Sequence, residues 1–100
     1  MQLTKRKLVT IIAESALEAA IIKDIKRLGA RGYTQVDSRG AGDRGVRKGD
    51  WDQDRNVLIQ TICSEDRAHT IMSFIFEQYC DDYAIITYAT DIEVLRHGKF

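Results

Sequence analysis

The sequence lacks net charge, long apolar runs and clustered cysteines. Fifteen Lys and Arg balance fifteen Asp and Glu, so the chain as a whole has no strong attraction for nucleic acid or membranes. No hydrophobic run approaches the roughly 20 residues that span a bilayer, and the apolar stretch before Glu14 ends without a small-residue cleavage site. Cys63 and Cys80 lack metal-ligand spacing. These absences predict a cytoplasmic protein with two buried free thiols.

Groupings typical of catalysis, metal binding or RNA binding are missing as well. His69 and His97 are isolated, and His69 is expected on the surface of a helix. No Cys–His pair lies close in sequence, and no Ser–His–Asp set is suggested. The expected strands offer only Tyr33 and Tyr88 to stack on bases. We therefore predict a protein that is not an enzyme, has no metal site and binds no nucleic acid.

The most distinctive stretch that is present is a polar loop, residues 37–54. It holds four of the seven glycines together with four basic residues: Gly40, Gly42, Gly45, Gly49, Arg39, Arg44, Arg47 and Lys48. Glycine leaves backbone amides free to face an anion, and arginine supplies a planar fork for phosphate or carboxylate. Four of its aspartates, Asp43, Asp50, Asp52 and Asp54, dilute this charge, which favours a compact anion over a polyanion. The alternative is a solvated hairpin connection of mixed charge.

Regular patterns on both sides of the loop predict four strands and two helices. The strands are residues 7–13, 33–38, 55–63 and 84–89, followed by a short tail, 90–100. The first helix is expected to begin with a capping box of Ser15 and Glu18 and to stop at Gly29. The second is expected to begin at the cap Ser64. The apolar faces are Leu17, Ala20, Ile21, Ile25 and Leu28 in the first helix, and Ala68, Ile71, Met72, Ile75, Phe76 and Tyr79 in the second.

The order of these elements predicts an α+β fold. Two βαβ units joined by a long loop form a ferredoxin-like βαββαβ sandwich, here a single domain over residues 1–100. Two amphipathic helices cover one face of the sheet. The other face is lined by residues such as Val9, Ile11, Ile59 and Ile86, or their alternates. Because that face must also be buried, the chain is expected to self-associate.

Four segments in this order resemble the PII signalling superfamily: L-G-A-R-G-Y-T (28–34), R-G-A-G-D-R-G-V-R (39–47), D-D-Y-A-I-I (81–86) and E-V-L-R-H-G (93–98). The similarity is greatest to the PII-like branch that contains the carboxysome-associated PII proteins and SbtB, the regulator of a bicarbonate transporter. The resemblance implies a homotrimer that binds adenine nucleotides in three clefts between subunits. A flexible T-loop, about 39–55, would change conformation with ligand and contact a membrane transporter or another protein. The implied function is control of bicarbonate uptake or carbon fixation.

The resemblance also implies a set of nucleotide-binding residues. They are Gly32, Thr34, Gly40, Gly42, Arg44, Arg47, Gln60, Ile62, Tyr83, Ala84, Ile85 and Arg96. Thr34, Gln60 and Ile62 would line the adenine pocket, and the segment from Tyr83 would form the opposing wall. Arg44 and Arg47 would contact phosphate, and Arg96 would come from the C-terminal segment. The alternative for each is a plain structural or surface role: strand residues, turn glycines, solvated arginines and a packing tyrosine.

This chain departs from nitrogen-sensing PII proteins at two places. Where those proteins carry a lysine for the terminal phosphates, this chain has Asp81 and Asp82. Carboxylates beside a triphosphate are unfavourable, so we expect AMP, ADP or cyclic AMP rather than ATP, with bicarbonate as a further candidate ligand. Arg44 stands at the place of the glutamine used for 2-oxoglutarate.

The competing interpretation is a trimeric interaction module, or a metal-tolerance-type protein, that binds no nucleotide. Trp51 could then anchor a partner or fold back on the body.

Overall fold

A four-stranded antiparallel sheet with two helices forms the part of the chain that the computed structural model describes, residues 1–40 and 55–95. The elements are β1 (Thr4–Glu14), a 3₁₀ turn (Ser15–Leu17), α1 (Glu18–Arg27), β2 (Thr34–Ser38), β3 (Asn56–Cys63), α2 (Glu65–Tyr79) and β4 (Ile86–Val94). The sheet order is β2-β3-β1-β4, so the two βαβ units interleave their strands. The predicted ferredoxin-like fold is confirmed.

The core lies between the helices and one face of the sheet, which we call the closed face. Alternate residues of β1 and β3 supply it, and Val9, Ile11 and Ile59 have no exposed surface. Ile21 and Ile25 of α1 and Ile71 and Ile75 of α2 are equally buried and belong to the same cluster. Both helices therefore bury their apolar stripes against one shared core, as their 3.6-residue periodicity predicts.

The face without helices is also apolar, and we call it the open face. The register places on it Leu8 and Ile12 of β1, Leu58 and Ile62 of β3, Val36 of β2, and Ile86 and Tyr88 of β4. Val36 is 50% exposed and Tyr88 45%. Three of the residues named for this face, Val9, Ile11 and Ile59, lie on the closed face instead. Their alternates take the place, because β1 and β3 are apolar on both faces and the sequence does not fix their orientation.

The start of α1 differs from the predicted capping box. Ser15 belongs to the 3₁₀ turn, and among the described residues no side chain caps either this turn or α1. Glu18 instead accepts a hydrogen bond from Gln35 Nε2 of β2 at 2.7 Å. Ala20, expected on the buried stripe, is exposed. The predicted stop is confirmed: Gly29 has φ +105°, and its amide donates to the Lys26 carbonyl.

The second half follows the predicted pattern more closely, with two corrections. The Ser64 hydroxyl accepts from the Arg67 amide at 3.2 Å, so Ser64 caps α2 as predicted. Phe76, placed on the buried stripe by its spacing, is 66% exposed. Residues 90–94, predicted as part of a tail, continue β4 to Val94, because β1 begins at Thr4 and offers them a partner. None of the helices within residues 1–40 and 55–95 has the length and hydrophobicity of a transmembrane segment.

Candidate functional site

The structure brings together three of the predicted binding residues on the open face at the start of β2. Thr34 pairs with Gln60 across β2 and β3, and Ile62 follows Gln60 on the same face. Gln60 Nε2 donates to Thr10 Oγ1 of β1 at 3.1 Å. Thr34 is exposed, whereas Gln60 and Ile62 are half-buried. We call these three residues, together with Gly32 shortly before Thr34, the β2 wall.

Gly32 is held in place by its carbonyl and leaves space around its α-carbon. Thr61 Oγ1 donates to the Gly32 carbonyl at 2.6 Å, which ties the loop after α1 to β3. A Cβ built on Gly32 would meet no heavy atom of the described residues within 4 Å. The fold itself therefore does not require glycine here, and the backbone is open to close approach by a ligand.

The second candidate wall lies in the turn between α2 and β4. Tyr83, Ala84 and Ile85 form it, and we call it the β4 wall. The Tyr79 carbonyl accepts from the amides of Asp82 and Tyr83, at 3.1 and 3.0 Å. The rings of Tyr79 and Tyr83 lie 6.1 Å apart at 54°. Tyr83 therefore has a packing contact on one side, but 39% of its surface remains exposed and available to a ligand.

The two walls are at opposite edges of the sheet. β2 and β4 are the edge strands, and β3 and β1 separate them. With about 4.8 Å between neighbouring strands, the edges are roughly 14 Å apart. A single adenine ring therefore cannot contact both walls of the same chain. If both walls belong to one site, the second wall must come from another copy of the chain.

The base of the long loop is described only in part. Ser38 and Asn56 form the last pair of β2 and β3, and a surface depression is lined there by Ser15, Asp37, Ser38, Arg39, Arg55 and Asn56. Gly40 lies at the entrance to the loop. A Cβ built on it would meet no heavy atom of residues 1–40 and 55–95 within 4 Å. The predicted phosphate-binding residues Gly42, Arg44 and Arg47, together with Trp51 and Arg96, lie outside the described residues.

Tyr79, which contacts Tyr83 of the β4 wall, also binds Asp24 of α1, and no sequence pattern groups these two residues. The Tyr79 hydroxyl donates to Asp24 Oδ2 at 2.5 Å, which joins α2 to α1. Burial, followed by this hydrogen bond to a carboxylate, raises the pKa of Tyr79 to about 12. The sequence feature that could indicate this hydrogen bond is Tyr79 itself, which ends the buried stripe of α2. A buried tyrosine hydroxyl usually has a hydrogen-bond partner.

The remaining candidate groups are inert or dispersed. Cys63 is buried as predicted, but Cys80 is only half-buried, and burial raises the pKa of both thiols. His69 is exposed on α2, as predicted, and His97 lies outside the described residues. Within the described part of the chain, no three His, Cys, Asp or Glu side chains are grouped closely enough to hold a metal ion.

A family model and solved structures of other proteins point to the same group of proteins. The family model for "Nitrogen regulatory protein P-II" matches residues 6–99. The chain is 44% identical to a PII-like signaling protein of Thermus thermophilus, covering 100% of this chain and 99% of that one, with a TM-score of 0.84. It is 26% identical to the protein CPII of Thiomonas intermedia, whose structure is bound to ADP and bicarbonate, over 99% and 97% of the two chains with a TM-score of 0.82.

Proposed function

Because the chain belongs to the nitrogen regulatory protein P-II family, we propose that it is a non-catalytic signalling regulator that binds an adenine nucleotide between subunits of a homotrimer. The observation that carries this proposal is the separation of the β2 wall and the β4 wall on opposite edges of one sheet. A cleft that uses both walls forms when the β2 edge of one subunit meets the β4 edge of its neighbour. The adenine then lies between Thr34, Gln60 and Ile62 of one subunit and Tyr83 of the next.

The open face supports association of subunits. It is lined by large apolar side chains that a single chain leaves partly exposed, including Val36, Ile86 and Tyr88. Burying such a surface is favourable at about 25 cal/mol for each Å². A closed ring of three copies buries every open face, and each copy then offers its β2 edge to one neighbour and its β4 edge to the other.

The turn beside Tyr83 favours ligands with few phosphates. Asp81 and Asp82 are both exposed there, and a triphosphate next to carboxylates is unfavourable. We expect ADP, AMP or cyclic AMP to bind at least as well as ATP. CPII, which was solved with ADP and bicarbonate, supports this choice. Arg44 and Arg47 would contact the phosphates, with backbone amides from Gly40 and Gly42.

The proposed physiological role is control of bicarbonate uptake or carbon fixation. Bicarbonate is a small planar anion suited to an arginine fork, and its presence in CPII makes it a candidate second ligand. In this proposal the nucleotide and bicarbonate set the conformation of the T-loop, residues 39–55. The loop then acts on a protein target, such as a membrane transporter, from the cytoplasmic side.

Oligomeric state is the first test of the proposal. Light scattering at micromolar concentration should give about three times the subunit mass of 11.4 kDa. Leu58→Asp puts a charge on the open face and should yield monomers. Phe76→Asp changes an exposed apolar residue on the opposite, helical side and should leave the mass unchanged. A wild-type protein that scatters as a monomer would contradict the intersubunit cleft.

Nucleotide binding is the second test. Calorimetry with AMP, ADP, ATP, cyclic AMP and bicarbonate should detect adenine nucleotide binding. Arg47→Ala should weaken it by about 1–3 kcal/mol, since a charged hydrogen bond is lost. Thr34→Val should weaken it by about 1 kcal/mol. Thr70→Val, which alters an exposed hydroxyl of α2, is the matched control. A trimer that binds none of the nucleotides would instead favour the interaction-module interpretation.

A further inference from the structure

Tyr79 makes several of the contacts that hold the turn of the β4 wall, and Ile85 of the same turn packs against the core. The Tyr79 carbonyl accepts both the Asp82 and the Tyr83 amides, at 3.1 and 3.0 Å, and its ring packs on the Tyr83 ring at 6.1 Å. Tyr79 is itself only 8% exposed. The placement of Tyr83 therefore depends on how firmly the last turn of α2 is held.

Asp24 of α1 supplies that hold. Its Oδ2 accepts the Tyr79 hydroxyl at 2.5 Å, and Arg27 lies 3.5 Å from its Oδ1. Arg27 also stacks on the Phe74 ring of α2, with 4.8 Å from its guanidinium carbon to the ring centre. A hydrogen bond to a carboxylate is stronger and more directional than one between neutral groups. The ends of the two helices are thus joined through Asp24.

We propose that Asp24 and Tyr79 are positioning residues of the nucleotide cleft, which act by fixing Tyr83 and its turn against α1. This inference rests on the proposed function, because Tyr83 is a ligand contact only if the cleft between subunits binds a nucleotide. Neither residue contacts the ligand. Their contribution is to hold the β4 wall in the conformation that faces the neighbouring β2 wall, so that no ordering is needed when the ligand binds.

The decisive variants remove the link or weaken it, with little change in volume. Tyr79→Phe deletes only the hydroxyl, and Asp24→Asn keeps the shape of the side chain but removes its charge. Each should weaken ADP binding by about five- to tenfold in calorimetry. Ile71→Val, in the buried stripe of α2 two turns earlier, is the control for loss of stability. Ile71→Val should lower the melting temperature about as much as Tyr79→Phe and Asp24→Asn do. It should nevertheless leave the ADP affinity within twofold of wild type.

Amide exchange separates this inference from the proposed function. The Asp82 and Tyr83 amides should exchange at least tenfold faster in Tyr79→Phe and Asp24→Asn than in wild type, with or without nucleotide. In Ile71→Val, the ratio of their exchange rates to those of the buried α2 amides should stay unchanged. If wild type binds no adenine nucleotide, the proposed function fails while this exchange result still tests the link. If wild type binds ADP and both variants bind it equally well, the positioning role is overturned. Unchanged exchange at Asp82 and Tyr83 would overturn it too.

Discussion

The two βαβ halves of this chain build the same unit by different local means. In the first half, α1 begins without a side-chain cap among the described residues and ends at Gly29 with φ +105°. In the second half, α2 begins at a Ser64 cap and ends in a turn held by Tyr79. The loop after α1 leads to the β2 wall and the turn after α2 leads to the β4 wall. The loop at the β2 wall is held by the Thr61 hydroxyl on the Gly32 carbonyl. The turn of the β4 wall is held by the Tyr79 carbonyl and by the contacts of the Tyr79 side chain with Asp24 and Tyr83.

The largest effects should be the same in both halves, because they share one core. Ile25→Ala in α1 and Ile75→Ala in α2 each remove a fully buried side chain and should cost about 2–5 kcal/mol in the free energy of unfolding. Urea denaturation should show a single transition for both variants. Two separate transitions, with each variant affecting only one of them, would mean that the halves fold independently.

The next largest effect should separate the two glycines of the loop after α1. Gly29→Ala forces a side chain into a left-handed conformation, with its Cβ 2.6 Å from Arg67 Nε, and should cost about 1–2 kcal/mol. Gly32→Ala has free space and should change stability by less than about 0.5 kcal/mol. Thermal unfolding measures both. Gly32→Ala should still weaken ADP binding if the backbone lies against the base, so normal binding by this variant would argue against the β2 wall.

A smaller difference is expected between the two serines that precede the helices. Ser64→Ala removes the hydroxyl that caps α2 and should cost about 1 kcal/mol. Ser15→Ala removes a hydroxyl that makes no capping bond in the described structure and should stay within about 0.5 kcal/mol of wild type. Denaturant titrations of the pair provide the measurement. Equal losses would show that Ser15 caps α1 in solution after all.

A further effect is confined to alkaline pH and concerns Tyr79, whose hydroxyl joins the two halves through Asp24. Tyr79 has its pKa raised to about 12 in the folded protein, against about 10 for an unperturbed tyrosine. The folded state therefore keeps a proton that the unfolded state releases, and this stabilisation is complete below pH 10 and lost as pH rises towards 12. Wild type should lose stability more steeply than Tyr79→Phe across this range. Parallel pH profiles for the two proteins would show that Tyr79 is not the group responsible.

Local patterns predicted the elements well wherever a single signal dominated. The predicted helix boundaries at Gly29 and Ser64 are confirmed, because a left-handed stop and an N-terminal cap are decided within a few residues. Ser15 was wrongly assigned as a cap, since a 3₁₀ turn precedes α1 and Glu18 bonds to Gln35 on another strand. The prediction that Phe76 is buried is wrong, because the spacing of an apolar residue does not show how wide a stripe of the helix the core covers.

The candidate site was predictable only as a set of residues, without their arrangement. Thr34, Gln60 and Ile62 were grouped through a family resemblance, and the strand register places them on one face. Tyr83 was named from the same resemblance, but its distance from the β2 wall follows from the sheet order alone. No local pattern identifies Asp24, because its partner Tyr79 is 55 residues away in sequence.

By itself, the sequence determined the order of strands and helices, the ends set by Gly29 and Ser64, and the family to which the chain belongs. These properties depend on periodicity, capping and short motifs, which act over a few residues. The tertiary structure alone decided which face of β1 and β3 the helices cover, that the two walls stand at opposite edges, and that Asp24 meets Tyr79. Such features depend on contacts between residues far apart in the chain, and a strand that is apolar on both faces contains no local signal to decide them.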